Sequence, residues 1–317
     1  MPSLAETLHV VHGDSVGRGV RSLGARRVLP IRDHHLLGRC EADHGVTLAD
    51  DLLRAIEGLP PAAPVAIWTS RALAERLATW WACRFLARTS VCPERLWLVQ
   101  AIPPEGWGHE DLGCLPREAL LHSFGCARPL GRSALRSGAA IWRRFTSSSP
   151  RGMDQLRLGG SRAFPDVDRV LEPYGWPFPI VRRRRLEPSI LDRIVLGRLD
   201  PTTWQRPLDV YRDVTRDETV FYTLWGSWGM SIVAGRLQEW AQHRRDSPAI
   251  ESRRAGVNHL TRIEYRLTSL GERILERGLD DPEEAPPFWI GGVPIHTSPY
   301  WVRRVGSRGW RIERLAR

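Results

Sequence analysis

The stretch LHVVHGDSVGRGVRSLG, residues 8–24, combines a short apolar strand, a glycine-spaced turn and the start of a helix. Its glycines allow a tight turn and a close approach of the backbone to a ligand. The helix that follows presents unpaired backbone N–H groups and the positive end of its dipole at the same place. The stretch therefore predicts a strand-to-helix junction of a parallel sheet and marks it as a candidate binding site.

The first third of the chain continues this alternation of strand and helix. Three further apolar segments have the length of strands: 27–31, 65–68 and 95–100. Helical periodicity fills the segments between the strands: 16–23, 47–57 and 70–88. Such alternation predicts a parallel sheet covered by helices, with Trp80 and Trp81 of the third helix in the core.

The second half of the chain has mainly helical patterns. The loop SSSPRG at 147–152 predicts a boundary between an α/β ligand-binding-like domain, 1–149, and a mainly helical domain, 150–317. Pro188 and Pro201 are placed to begin helices at 189–196 and 202–214.

A pattern near the carboxyl end resembles part of a winged-helix unit. It consists of a helix at 230–242, a short helix near 250–254, a strand at 261–267 and a helix at 269–277. Ser269 and Glu272 have the spacing of a capping box for the last helix. The tail from Phe288 to Leu315 alternates like two or three short strands, which predicts a terminal β-hairpin.

The composition is that of an ordinary globular protein. Of 317 residues, 42% are hydrophobic and 26% charged, and no apolar run reaches the length of a membrane span. The amino terminus has no secretory signal pattern, so a cytoplasmic location without membrane partners is expected. The five cysteines form no CxxC pair, which indicates reduced thiols rather than a disulfide framework or zinc ribbon.

All 46 basic residues are arginine, which excludes a P-loop lysine and lysine-based catalysis. The net charge of +10 is spread over both halves: residues 1–150 hold 18 arginines and 14 acids, and the remainder holds 28 and 22. Arg182 to Arg185 is the one dense basic run. It is interpreted either as a solvated or acid-paired surface or as part of a nucleic-acid contact.

The carboxyl ends of neighbouring parallel strands are where open α/β sheets bind ligands. The first three predicted strands carry histidines, acids, hydroxyls and arginines at these ends, a mixture that suits a polar or phosphorylated ligand. The candidate ligand-binding residues are His12, Gly13, Asp14, Ser15, Arg18, Arg32, Asp33, His35, Ser70 and Glu75.

Simpler interpretations compete with a binding site at these positions. Asp14 or Ser15 can act as a helix cap, and His9 is predicted to be a core residue. His34, His35, Cys40 and His44 match no established zinc spacing, so no metal site is predicted.

Two known motifs, one of hydrolases and one of dinucleotide-binding proteins, do not match this sequence. Gly-Asp-Ser also begins the SGNH hydrolases, but the GxND and DxxH blocks of those enzymes are missing, and the chain has a single asparagine, Asn258. The glycines at 13, 17, 19 and 24 do not have the GxGxxG spacing of a Rossmann dinucleotide site.

Several segments in order resemble the bacterial family known as domain of unknown function 1835. They are HVVHGDSVGRGVRSLG at the start, RVLPIRD at 27–33, AIWTSRALAERL at 66–77, YRLTSLG at 265–271 and WIGGV at 289–293. The chain departs from the family pattern at Ile31, where similar proteins often have tryptophan, and at Gly38–Arg39, where they often have Gly-Pro. The resemblance implies an architecture but no reaction, catalytic residue or cofactor.

Three functional hypotheses follow from the sequence. The first is binding of a small anionic or phosphorylated ligand, such as a nucleotide, at the strand ends of the amino-terminal domain. The second is a nucleic-acid-associated regulator that uses the arginine-rich carboxyl half, although the predicted helix 230–242 has one arginine, Arg236, and two tryptophans nearby, which favour packing. The third is a hydrolase or transferase that acts through Asp14, Ser15 or Asp33.

Overall fold

The computed structural model describes residues 2–32, 46–89, 91–107, 111–216, 229–244, 246–255, 263–307 and 309–315. The chain forms two compact units and passes from unit 1 to unit 2 between Leu171 and Glu172. This point lies beyond the loop predicted as a boundary at residue 150, because two helices that follow the loop pack within unit 1. No helix among the described residues is both long and apolar enough to cross a membrane.

Unit 1 is built on a five-stranded sheet whose first four strands are parallel. The strands are β1 (Leu8–His12), β2 (Arg27–Ile31), β3 (Val65–Thr69), β4 (Leu96–Gln100) and β5 (Arg128–Pro129). Their order is β2-β1-β3-β4-β5, with β5 antiparallel to β4. The predicted parallel sheet is confirmed, and β1 lies between β2 and β3.

Seven helices accompany this sheet in the described part of unit 1. They are α1 (Gly13–Ser22), α2 (Val46–Glu57), α3 (Leu73–Leu86), α4 (Arg117–Gly125), α5 (Arg132–Phe145), α6 (Arg151–Gly159) and α7 (Val167–Val170). Trp80 and Trp81 of α3 are fully buried, as predicted. Helix α5 packs so tightly on α3 that a β-carbon at Gly138 would lie 2.7 Å from the β-carbon of Cys83.

Unit 2 combines four helices with three small sheets in its described residues. A four-stranded sheet has the order β13-β12-β6-β7, and the pairs β8–β9 and β10–β11 are antiparallel. The helices are α8 (Ile190–Leu196), α9 (Pro207–Thr215), α10 (Gly229–Gln242) and α11 (Ser269–Arg277). The strands are β6 (Ile180–Arg182), β7 (Arg185–Glu187), β8 (Ile250–Arg254), β9 (Ile263–Leu267), β10 (Phe288–Ile290), β11 (Val293–Ile295), β12 (Trp301–Gly306) and β13 (Gly309–Arg314).

The prediction of a short helix near 250–254 was wrong, because this segment is strand β8. Ile250 lies opposite Leu267, and the antiparallel register continues along β9 to Arg254 opposite Ile263. A five-residue helix would gain few internal hydrogen bonds, whereas the strand obtains its bonds from β9. The tail also holds four strands, β10 to β13, rather than two or three.

The starts of two helices also differ from the prediction. Helix α9 begins at Pro207 rather than after Pro201, because the Asp200 carboxylate accepts hydrogen bonds from the backbone of Thr202 and Thr203 and forms a turn there. Helix α11 is capped by Thr268, whose side chain accepts from the Gly271 N–H, rather than by Ser269.

A fully buried ion pair joins the helices of unit 2. Arg236 of α10 donates from Nε to Asp192 Oδ1 of α8 at 2.8 Å, and Trp240 Nε1 donates to the same oxygen at 2.8 Å. Ser189 Oγ donates to Asp192 Oδ2 at 2.7 Å. Arg236 lowers the pKa of Asp192 well below its usual range, so the carboxylate stays ionised in the core.

Candidate functional site

The order of the strands places the topological switch point of unit 1 between β1 and β3. From β1 the chain moves outward to β2, then crosses back to β3 on the other side of β1. The carboxyl ends of β1 and β3 are therefore where the rule for open α/β sheets locates a ligand crevice. The predicted residues His12 to Ser15 and Ser70 lie at these two ends.

The structure brings the predicted residues Asp14 and Arg32 together. Arg32 Nε donates to Asp14 Oδ1 at 3.0 Å, and both side chains remain largely exposed. Ser15 Oγ accepts from the Arg18 guanidinium at 3.3 Å on the same surface. Because both partners are exposed, this pair adds little stability and leaves its charged groups accessible to solvent.

Neither Asp14 nor Ser15 acts as the helix cap that the simpler interpretation proposed. The residue before α1 is His12, which is half-buried, and it makes no side-chain hydrogen bond to the first turn. Gly13 has φ +78°, in the left-handed region, so the tight turn depends on glycine at this position. Asp33 and His35, with His34, Cys40 and His44, lie outside the described residues.

A short turn of the chain itself occupies the switch point. Residues Leu112–Cys114 form one turn of 3₁₀ helix, and Leu112 is 1% exposed within the core cluster that contains Val11 and Val16. A β-carbon placed on Gly113 would lie 3.5 Å from the β-carbon of Ser15. The predicted crevice between β1 and β3 is therefore filled by protein in the described structure.

Glu75 lies beneath this turn and is buried. Its Oε1 accepts from the Leu112 N–H at 3.1 Å, and its Oε2 has no hydrogen-bond partner among the described residues. Burial raises the pKa of Glu75 well above its usual range, and the nearby charge of Asp111 raises it further. The predicted Ser70 is also fully buried, where its Oγ accepts from the Ala72 N–H at 2.9 Å.

His9 is a core residue, as predicted. It is fully buried, its Nδ1 accepts from Trp68 Nε1 at 3.0 Å, and its Nε2 lies 2.9 Å from the Leu4 carbonyl oxygen. Burial lowers the pKa of His9, so the ring is held neutral between these two partners.

An open pocket lies one strand further along the same edge, at the carboxyl ends of β3 and β4. Its volume is about 420 Å³. Polar and charged residues line much of it, together with the backbone that follows β4. The lining residues are Arg71, Gln100, Ala101, Ile102, Pro103, Arg128, Pro165 and Asp166.

A buried arginine organises the polar side of this pocket. Arg76 is 1% exposed, and its NH2 donates to Asp166 Oδ2 at 2.8 Å and to Gln100 Oε1 at 3.2 Å. Its Nε has no acceptor among the described residues, and its guanidinium lies 5.8 Å from the ring centre of Phe164. Arg76 therefore fixes both the carboxylate and the amide that face the pocket.

Arginines outnumber acids among the described residues that line this pocket. Arg71 Nε lies 3.6 Å from Asp166 Oδ2, so Asp166 is shared between Arg71 and Arg76. Burial lowers the pKa of Arg76, the positive charges of Arg128 and Arg71 act in the same direction, and the Asp166 carboxylate opposes them. Among the described residues, Arg71 and Arg128 line the pocket, the buried Arg76 is bonded to its wall, and Asp166 is the one lining carboxylate, an arrangement that favours an anion.

This pocket was missed because the residues proposed from the sequence were taken only from the ends of the first three predicted strands. One signal was present, since Gln100 ends the fourth predicted strand and Ala101 follows it. The other members, Arg128 and Asp166, are 28 and 66 residues beyond Gln100 in the chain, and no local pattern links them.

Neither a metal-binding cluster nor a disulfide is found among the described residues. They contain no group of three or more His, Cys, Asp or Glu side chains placed to hold a metal ion. Cys83, Cys92, Cys114 and Cys126 form no disulfide.

Comparison with protein-family models finds no match for this chain, and comparison with curated proteins finds none either. The resemblance to domain of unknown function 1835 therefore stays a prediction from the sequence. The geometry of the pocket and the chemistry of its side chains carry the functional argument.

Proposed function

We propose that unit 1 binds a small anionic ligand, such as a phosphorylated metabolite or a nucleotide, in the pocket at the ends of β3 and β4. The observation that carries this proposal is a concave site lined by Arg71 and Arg128, in which Arg71 and the buried Arg76 share one described carboxylate, Asp166. Arginine binds phosphate and carboxylate groups through two parallel hydrogen bonds, which makes it suited to this task. The pocket lies at the strand-end edge where the sequence predicts a ligand.

The orientation of Gln100 defines a second contact for the ligand. Arg76 carries donors only, so the oxygen of the Gln100 amide faces it and the NH2 group is directed elsewhere. Asp166 uses Oδ2 for both arginines, and no described residue donates a hydrogen bond to Oδ1. The pocket therefore offers guanidinium donors, an amide donor and one carboxylate acceptor, which suits an anionic group that has a hydroxyl nearby.

The test is a ligand screen by thermal shift on the full chain, with pyrophosphate, AMP and ATP as probes. A ligand at about 100 times its Kd stabilises the folded state by about 2.7 kcal/mol. In a domain of this size each kcal/mol raises Tm by about 2–4 °C. The double variant Arg71→Gln/Arg128→Gln is expected to abolish the shift without lowering the midpoint of the free protein, because both side chains are exposed.

A control variant separates this pocket from the Asp14–Arg32 surface. Arg32→Gln removes one exposed arginine at the end of β2 and is expected to leave the shift unchanged. A shift that persists in Arg71→Gln/Arg128→Gln would overturn the proposal. If Arg32→Gln alone abolished the shift, the ligand would belong to the residues that the sequence predicts around Asp14.

We also propose that part of unit 2 is a winged-helix-like element with a scaffolding role. Three helices, α8 to α10, pack together and are followed by the hairpin β8–β9. Gln205, between α8 and α9, pairs with Tyr265 of β9 through two backbone hydrogen bonds of 2.9 and 2.8 Å. A single-residue β-bridge at that place, paired to the hairpin, supports the winged-helix arrangement.

The surface of α10 favours scaffolding over reading of DNA. Arg236 is the only arginine of the helix, and it is 1% exposed and paired with Asp192. The exposed positions Ser231 and Gln238 carry no charge. Ser231→Glu/Gln238→Glu is expected to leave DNA binding by the full chain unchanged, and a clear loss of binding would contradict the scaffolding role.

A further inference from the structure

The hairpin β6–β7 of unit 2 has an unusual turn made of arginine alone. Arg182 and Arg185 lie opposite each other in the register, and Arg183 and Arg184 form the two-residue turn with φ of +50° and +68°. Both turn residues are thus left-handed, a conformation that hairpins usually assign to Asn-Gly. Arginine has no local compensation for this strain, so the turn costs the folded state free energy.

The charges of the turn are not neutralised either. All four arginines are exposed, and Arg185 donates to the backbone oxygen of Glu276. Among the described residues, no acid pairs with Arg182, Arg183 or Arg184. Like charges opposite each other on neighbouring strands destabilise a sheet. Backbone strain and repulsion together indicate that these residues serve a partner rather than the stability of the free protein.

Further arginines lie at the same end of the sheet. Strand β12 runs parallel to β6, so the turn between β12 and β13 lies beside the turn of β6–β7. Arg304 and Arg311 are exposed opposite each other in that hairpin and share one acid, Glu313. Arg304 is in register with Val181, so it lies on the face opposite to Arg182, since side chains alternate along a strand.

We propose that the arginine-rich end of this sheet, formed by Arg182–Arg185, Arg304 and Arg311, binds the phosphate backbone of double-stranded nucleic acid. A two-stranded β-ribbon fits the major groove of a DNA duplex, where a phosphate backbone runs along each side. Cations on both faces of the sheet match two backbones, whereas an acidic peptide would be held along one face. A lipid surface would require apolar side chains for insertion, and the turn has none, while Val305 nearby adds little apolar area.

The test is fluorescence anisotropy with a labelled mixed-sequence DNA duplex of about 20 base pairs and the full chain, from about 50 to 200 mM salt. The informative variant is Arg183→Asn/Arg184→Gly. It removes two cations and installs the residues that the turn geometry favours, so the fold is expected to keep or gain stability. Binding at low salt is expected to weaken at least tenfold, and the slope of log K against log salt to decrease by about 2.

The matched control is Arg143→Gln/Arg144→Gln, which removes two exposed arginines from the end of α5 in unit 1. It is expected to keep the affinity within about twofold of the parent, and Arg183→Lys/Arg184→Lys to retain most of the binding. The variant Arg71→Gln/Arg128→Gln is expected to leave duplex binding intact, which separates this proposal from ligand binding by unit 1.

Three outcomes would overturn the proposal. The first is unchanged affinity and salt slope in Arg183→Asn/Arg184→Gly. The second is an equal loss in the matched control, which would indicate diffuse attraction to the net charge. The third is the absence of duplex binding at low salt. If polyglutamate or phosphatidylglycerol vesicles bound instead, the arginine-rich end of the sheet would be assigned to another class of partner.

Discussion

Replacement of Glu75 by glutamine is expected to stabilise unit 1 at neutral pH. Glu75 is buried, its Oε2 has no partner among the described residues, and Asp111 lies close enough to raise its pKa further. Glutamine keeps an oxygen that can accept from the Leu112 N–H, and its NH2 group can donate toward Asp111. The substitution therefore removes a buried group that is costly in its charged form and satisfies an atom that is otherwise unpaired.

The magnitude follows from proton linkage. Because the pKa of Glu75 is raised above its ordinary value of 4.5, the folded state holds a proton that the unfolded state releases as pH rises. The stabilising effect of this proton is fully present below 4.5 and is lost as pH rises toward the pKa of the folded state. Within that window the free energy of unfolding falls by about 1.4 kcal/mol per pH unit. Above this pH window, the hydrogen bond that glutamine can make at the position of Oε2 adds about 1–3 kcal/mol to the free energy of unfolding.

The assay is native-state hydrogen exchange of the β1 and β3 amides between about pH 5 and pH 8, because these amides report on unit 1 alone. The advantage of Glu75→Gln over the parent is expected to grow with pH. Glu118→Gln makes the same chemical change at an exposed position of α4 and controls for loss of charge. An advantage that is equal at every pH, or one that shrinks as pH rises, would refute the linkage argument.

Three further predictions concern packing and reactivity. Asp192→Asn is expected to lower the free energy of unfolding by about 3 kcal/mol in urea titrations, since it leaves the buried Arg236 with only the partly exposed Glu239 as its counter-charge. Gly138→Val is expected to cost about 1–3 kcal/mol, because its β-carbon has no room beside Cys83, and an unchanged Tm would contradict this packing. Burial raises the pKa of the Cys83 thiol to about 12, so a disulfide-exchange reagent near about pH 8 should label exposed Cys92 at once and Cys83 only after unfolding. Rapid labelling of Cys83 in the folded protein would show that it is accessible.

The sheet of unit 1 could be predicted because its signals are local. Each parallel strand is a short apolar run bounded by proline, glycine or polar residues, and β2 matches its predicted bounds of Arg27–Ile31. Helix α2 likewise matches its predicted segment, 47–57, to within one residue. In these segments, residues that are close in sequence determine the conformation, so the periodicity of apolar residues was sufficient to predict it.

Elements that depend on distant partners could not be predicted in the same way. Segment 250–254 is a strand because β9 supplies its hydrogen bonds, and no property of the five residues alone reveals this. Leu112 fills the switch point from a position about 100 residues after β1. The strand ends predicted which edge of the sheet holds the candidate site, but not which part of that edge is open.

The same separation in sequence explains the candidate site. Asp14 and Arg32 were predicted as neighbours because they follow adjacent strands, and the structure joins them at 3.0 Å. Arg71 and Asp166 come together only because the segment before α7 reaches the end of β3. A pocket assembled from four separate segments leaves no single motif in the sequence.

The turn at Leu112–Cys114 divides the carboxyl edge of the sheet into a closed part and an open part. The closed part, between β1 and β3, belongs to the hydrophobic core, and the open part, beside β4, is available to a ligand. In evolutionary terms the position of the pocket is therefore set by one connecting segment rather than by the sheet. A change in the length of that segment is expected to alter whether the ends of β1 and β3 are open, while every strand keeps its place.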